Sequence, residues 1–126
     1  MTARAEPACW AWPEPASDAM RLLRERWARE APTASADMGE AEWFYWLMVE
    51  WQDYRCAICG RSGLALVMDH DHDTLLNRGF LCISCNTAEG RSDAERFVKY
   101  RQKNPATICG YDEKYVDRYE GRNAGP

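Results

Sequence analysis

Two Cys-x2-Cys pairs, Cys56/Cys59 and Cys82/Cys85, stand 22 residues apart in a chain of 126. No other feature limits the fold as tightly. A Cys-x2-Cys step puts two sulfurs on one tight turn, and two such turns supply the full tetrahedral set of thiolates for zinc. No coordination position is then left for a substrate, so this metal is structural. Its binding is coupled to the folding of the segment that carries the pairs. A redox dithiol is the competing reading of either pair alone, and the presence of two matched pairs argues against it. Cys9 and Cys109 have no partner pattern. They read as ordinary thiols, with a Cys9–Cys109 disulfide left open.

Both histidines of the chain lie inside this frame, in the run Asp69-His70-Asp71-His72, and Asn86 directly follows the last cysteine. In an extended stretch alternate residues share a face, which sets Asp69 and Asp71 on one side and His70 and His72 on the other. A bend at the strand end would gather Asp69 and both histidines around one pocket. Hydrolysis of a phosphodiester needs an activated water, neutralised phosphoryl charge and a stabilised leaving oxygen. A neutral imidazole meets the first need near pH 7 because its unperturbed pKa lies close by. A hard dication held by a carboxylate and an amide oxygen meets the other two, and Asp69 and Asn86 offer those oxygens. A second structural metal and a solvated polar turn are the plainer readings of the same run.

The length suits one domain with an appended arm. No run of about 18 apolar residues occurs, so no membrane span is expected. The first residues, MTARAEPACWAWPEP, lack the apolar stretch of a secretory signal, and with paired cysteines this points to a reducing cytosol. The net charge of −4 argues against simple affinity for nucleic acid, but it is unevenly spread. Residues 1–54 hold 5 Lys/Arg against 10 Asp/Glu, residues 55–103 hold 8 against 6, and residues 104–126 hold 3 against 4. The segment with the metal-binding residues can therefore attract phosphates while the whole chain is acidic. An ordinary mixed-charge surface is the alternative.

Residues 1–17 read as an irregular arm docked through Trp10 and Trp12. Ser17-Asp18 offers a helix cap, and Met20, Leu23 and Trp27 recur at helical spacing over 18–30. A connector follows over 33–39. A second helix is expected over about 40–54, with Trp43, Trp46, Leu47, Trp51 and Tyr54 on one broad face. Core packing is the expected use of that face, with stacking on nucleobases the sharper alternative. Short strands are expected over Leu64–Met68 and from Gly79 to Leu81, and a helix near Asn86. A further helix restarts at Ser92-Asp93 with Ala94, Phe97, Val98 and Arg101 on one side, and Asn104-Pro105 ends it. The end of the tail, after 120, is expected to be disordered.

The stretch Arg55-Cys56-Ala57-Ile58-Cys59-Gly60, then Asp69-His70-Asp71-His72, then Arg78 through Gly90 resembles the phage recombination endonuclease VII family of HNH nucleases. The resemblance spans roughly residues 43–105. It implies an α+β, mostly helical chain: an arm and helix over 1–40, a zinc-stabilised ββα-metal nuclease domain over 41–105 and a tail over 106–126. It implies Asp69 and Asn86 as ligands of a catalytic Mg2+ or Mn2+, His70 as the general base, and His72 on the scissile phosphate or assisting the metal. Glu89 would support the site from the face it shares with Asn86. Arg78 would contact the phosphate backbone or buttress the loop, and Arg91 would bind nucleic acid. The implied activity is metal-dependent nicking or cleavage of DNA, with branched DNA among the candidate substrates. A homodimer is a candidate assembly, and the setting is a bacterial or phage-infected cytoplasm. Only 21 residues follow Pro105, and about 40 precede the matched stretch. The family's junction-resolving member instead dimerises through long helices and a further C-terminal region. The reading from another class is a zinc-stabilised adaptor for nucleic acid or protein without turnover, its acidic, Trp-rich N-terminal segment docking a protein partner.

Overall fold

Every residue from Asn77 to Cys82 is buried, and the other elements are arranged around this one strand. The computed structural model describes residues 7–112, so the first residues of the arm and the expected disorder after 120 lie outside the described residues. A 3-10 turn at Cys9–Ala11 is followed by helices α1 (Ala19–Glu30), α2 (Pro32–Ala36) and α3 (Glu40–Trp51). Strands β1 (Leu66–His70) and β2 (Asn77–Cys82) come next, then helices α4 (Ile83–Glu89), α5 (Glu95–Gln102) and α6 (Pro105–Cys109). The chain is α+β, with one two-stranded antiparallel sheet among the described residues.

Successive strand residues point to opposite faces, and β2 feeds two cores in this way. Phe80 packs with Phe44, Met48 and Val49 of α3 and Ala106 of α6. Leu81 packs on the other side with Cys56, Ala57, Ile58, Phe97, Tyr100 and Cys9. This packing chooses the inward face of α3. Trp43 and Leu47 of the expected aromatic face are buried, but Trp46 and Tyr54 are exposed, and Phe44 and Met48 are buried beside them. Helix α3 stops at Trp51, short of the expected end, and Asp53 and Tyr54 take left-handed φ angles of 55° and 56° that turn the chain into the first cysteine pair.

One edge of β2 pairs with β1, Met68 opposite Phe80. The other edge has no strand; the Phe80 carbonyl instead accepts from Ala57 N–H at 3.1 Å and from Gln52 Nε2 at 3.0 Å. Gln52 Oε1 in turn accepts from Phe80 N–H at 2.9 Å. The buried amide thus replaces part of a missing third strand and leaves no backbone group at Phe80 unpaired. Gly79 must lack a side chain: at its φ of 153° a Cβ would lie 2.7 Å from Pro105 Cγ and 3.1 Å from Gln52 Oε1.

The arm docks through its tryptophans. Cys9 N–H donates to Ala57 O at 2.8 Å, the Trp12 ring lies 5.5 Å from Trp51, and the Arg55 guanidinium sits over Trp12. Helix α1 carries its Trp27 ring to 5.7 Å from Trp46. The expected connector over 33–39 holds the short α2, because Pro32 in its first turn presets φ and lacks an N–H that would be unpaired there anyway. Asn104 and Pro105 end α5 as expected and then start α6, where the Asn104 side chain accepts from Thr107 N–H at 3.0 Å.

Candidate functional site

The first cysteine pair closes around Gly60, which adopts φ 71° and donates its N–H to Cys56 O at 2.9 Å. The second pair forms where β2 runs into α4. Cys85 N–H donates to Cys82 Sγ at 3.4 Å, so Cys82 caps the helix and α4 opens at Ile83 rather than at Asn86. The four Sγ atoms lie within 4.8 Å of one another, with Cys59 and Cys82 at 4.0 Å. A tetrahedral zinc–thiolate centre has sulfur–sulfur edges of about 3.8 Å, so the four cysteines fit zinc. Burial and the adjacent thiols push Cys85 above the ordinary thiol range. Burial also works against a charge on Cys82, but hydrogen bonds from Cys85 N–H and the surrounding thiols lower it overall. An anion is favoured at Cys82 while Cys56 and Cys85 resist ionisation, a conflict that a bound dication would remove. Cys9 and Cys109 are free thiols, in the knuckle core and against the Phe80 core respectively, so no disulfide joins them.

Beyond the knuckle, β1 ends in Asp69-His70. Asp69 faces Gly79 across the ladder and His70 faces Asn77, so Arg78 is the extra residue of a bulge. A bulge re-aims a side chain, and this one turns Arg78 to the side of Asp69. The strand reaches two residues further than expected because the turn after it is tightly tied. Asp71 Oδ1 accepts from the N–H groups of Asp73 at 2.7 Å and Thr74 at 3.0 Å. Those two bonds, Thr74 first, hold the Asp71 carboxyl below the usual carboxylate range. Asp71 therefore organises the turn and does not join Asp69. The histidines do come together: their ring centroids are 4.7 Å apart, with His72 exposed and His70 half-buried.

Asp69 is only 5% exposed. Arg78 grips it with Nε on Oδ2 at 2.7 Å and Nη2 on Oδ1 at 3.1 Å, and the buried Tyr100 hydroxyl donates to Oδ2 at 2.8 Å. The same Arg78 Nη2 donates to Glu89 Oε1 at 2.9 Å and to His70 O at 3.2 Å. Arg101 donates to Glu89 Oε1 from the other side at 2.9 Å and to Asp93 at 2.9 Å. A ladder Asp69–Arg78–Glu89–Arg101 thus links β1, β2, α4 and α5. Burial pushes the Asp69 carboxyl above its usual range despite the hydrogen bonds and charge of Arg78. Burial, then the Asp69 charge, pushes Tyr100 well above the ordinary phenol value, so its hydroxyl remains a donor. Arg78 is buried, at 8% exposure, and its guanidinium is committed inside the fold. Asn86 is half-buried on α4, and Arg91 is exposed just after that helix with no carboxylate partner among the described residues.

Among the described residues, the four cysteines are the one group in which three or more His, Cys, Asp or Glu ligand atoms converge. A catalytic dication drawing on Asp69 and Asn86 needs fewer protein ligands than that, because Mg2+ keeps several waters and takes substrate phosphate oxygens. Asp69 Oδ2 accepts two bonds and Oδ1 only one, from Arg78. Oδ1 retains an acceptor direction, so Asp69 keeps one oxygen lone pair that suits a hard cation. Tyr100, Gln52 and the Glu89-binding role of Arg101 escaped sequence reasoning. The spacing of Tyr100, three residues after Phe97 on one helix face, was the available signal.

A family model described as recombination endonuclease VII matches residues 31–103, more than half of the chain. The chain is similar to the Gene 59 protein of Mycobacterium phage D29, 37% identical over 71 residues that cover 49% of this chain and 43% of that one. It is also similar to the Gene 59 protein of Mycobacterium phage L5, 47% identical over 45 residues that cover 33% of this chain and 27% of that one. The matched segments span less than half the length of these curated relatives. No solved structure matches the chain.

Proposed function

The chain belongs to the recombination endonuclease VII family, and on that premise we propose that it is a DNA endonuclease of the HNH type. It hydrolyses phosphodiester bonds with Mg2+ or Mn2+ beside a structural zinc. The observation that carries this reading is the pair of imidazoles, ring centroids 4.7 Å apart, at the end of β1. Both acids beside them are bound elsewhere, Asp69 by Arg78 and Asp71 by the turn. The unbroken succession β1, β2, α4 supports a ββα-metal core over 41–105.

His70 takes the proton of the attacking water while the water oxygen bonds to phosphorus and the opposite phosphorus–oxygen bond breaks. Arg78 Nη2 on the His70 carbonyl holds that residue in place. His72, more exposed, contacts the phosphate. A dication on Asp69 and Asn86 would supply charge neutralisation at the phosphoryl and leaving oxygens. Glu89 supports the site through Arg78 and Arg101, and Arg91 faces solvent where a backbone phosphate can reach it. The phage origin of its relatives suits action in a phage-infected bacterial cytoplasm; branched DNA is a candidate substrate and a homodimer a candidate form.

One observation favours a second reading. Three donors already occupy the Asp69 carboxylate, as suits a zinc-stabilised adaptor that binds DNA or a protein partner without turnover. Incubating the zinc-loaded protein with supercoiled plasmid and Mg2+ or Mn2+ separates the two. Wild type is expected to nick, and His70→Ala to nick about 10^2- to 10^4-fold more slowly with unchanged zinc content. A plasmid left intact by wild type across metals and DNA forms ends the enzyme reading. Binding without cleavage that Asp69→Ala leaves unaltered establishes the adaptor.

A further inference from the structure

The sulfur knuckle borders a cavity of about 510 Å³, lined at the start of α4, that the proposed chemistry does not use. Arg61 and Arg96 line it together with Ser84 and the sulfur-bearing Cys59, Cys82 and Cys85. Both arginines are exposed, Arg96 with its guanidinium 4.6 Å from the Phe97 ring centroid, and neither has a carboxylate within ion-pair distance among the described residues. Apart from Arg91, the other cations of the segment are engaged, Lys103 with Glu14 among them. Arg78 and Arg101 are held in the ladder, Arg55 lies over Trp12, and Lys99 pairs with Glu95, the acid next to Arg96. The positive excess of residues 55–103, 8 Lys/Arg against 6 Asp/Glu, therefore reaches solvent largely at Arg61, Arg96 and Arg91.

Arg91 lies just beyond the end of α4, while the cavity opens at its start. The seven residues of α4 span about 10 Å, roughly three base-pair rises of a duplex. We propose that Arg61 and Arg96 form a phosphate-binding flank at the knuckle, which grips the DNA backbone on one side of the cleavage site while Arg91 lies on the other. This rests on the endonuclease reading and adds to it a binding surface carried by the zinc module. Ser84, which lines the same cavity, adds a neutral hydroxyl donor of the kind that contacts phosphate.

A rival use of the two arginines is local. Zinc with four thiolates carries two net negative charges, and Arg61 and Arg96 could simply offset them. Equilibrium binding of the full, zinc-loaded chain to a labelled duplex, without Mg2+ or Mn2+ and over a range of KCl, distinguishes these uses. The Arg61→Gln/Arg96→Gln chain is expected to show a log K against log salt slope shallower by about 1.8, at about 0.9 per phosphate contact. Its zinc content should be unchanged, and Arg61→Lys/Arg96→Lys should restore most of the slope, since lysine keeps the point charge. A wild-type slope in the glutamine double variant overturns the flank, with faster zinc loss to a chelator then assigning the arginines to the tetrathiolate. If wild type cleaves DNA and the variant matches it in slope, the flank alone falls. If wild type binds no duplex even at low salt, the endonuclease reading falls with it.

Discussion

Around Cys82 the chain's own local turns deliver the ligand atoms; around Asp69 every partner arrives from another element. Each cysteine pair sits on one tight turn, and the pairs meet because β2 runs between the first turn and α4. Asp69 instead meets Arg78 across a bulge, Tyr100 from α5 and, through Arg78, Glu89 from α4. The first centre gathers four thiols that could hold a zinc ion. The second is already neutralised by its own guanidinium groups. The contrast shows two ways of tying β2 to α4: a thiol cluster able to hold zinc at one end, and a buried ionic ladder at the other.

Breaking the sulfur centre should have the larger effect. Cys82→Ser removes one of the four clustered thiols while leaving a hydroxyl able to cap α4, and a strong chelator strips a metal that the thiols hold. The expected outcome is lost zinc and loss of cooperative thermal unfolding over residues 55–90. A variant with full zinc content and an unchanged melting temperature would contradict this account. Next is the ladder. Arg78→Ala leaves two buried carboxylates facing each other without their common partner, and breaking a buried pair in this way costs about 3–5 kcal/mol. Urea unfolding of the zinc-loaded protein measures it, and a loss below about 1 kcal/mol would mean that the ladder is solvated in practice. The smallest change is Tyr100→Phe, which deletes one hydroxyl donor on Asp69. It is expected to cost about 1 kcal/mol with zinc retention untouched. If it instead matched Arg78→Ala, Tyr100 rather than Arg78 would be the main support of Asp69.

How legible each region was follows from the same difference. The Cys-x2-Cys spacing, both histidines and the helix over 19–30 could be read directly, because each depends on residues a few positions apart. Partnerships that span 9 to 31 residues, from Arg78–Asp69 to Tyr100–Asp69, could not. The expected aromatic face of α3 went partly astray for a related reason. Helical periodicity leaves open which side meets β2, and Phe44 and Met48 won the inward positions that Trp46 and Tyr54 were expected to share. Asp71 was grouped with Asp69 by strand alternation, but its side chain had a local alternative, the N–H groups of the turn after it.

By itself the sequence determined the two cysteine pairs, the nearness of the two histidines and the cysteine–asparagine junction at Cys85-Asn86, since these depend on residues only a few positions apart. The tertiary structure decided which charges are available. It buried Arg78 with Asp69, tied Arg101 to Glu89 and left Arg61, Arg91 and Arg96 facing solvent. Formal charge is written residue by residue, but the field a phosphate meets depends on which charges the fold neutralises.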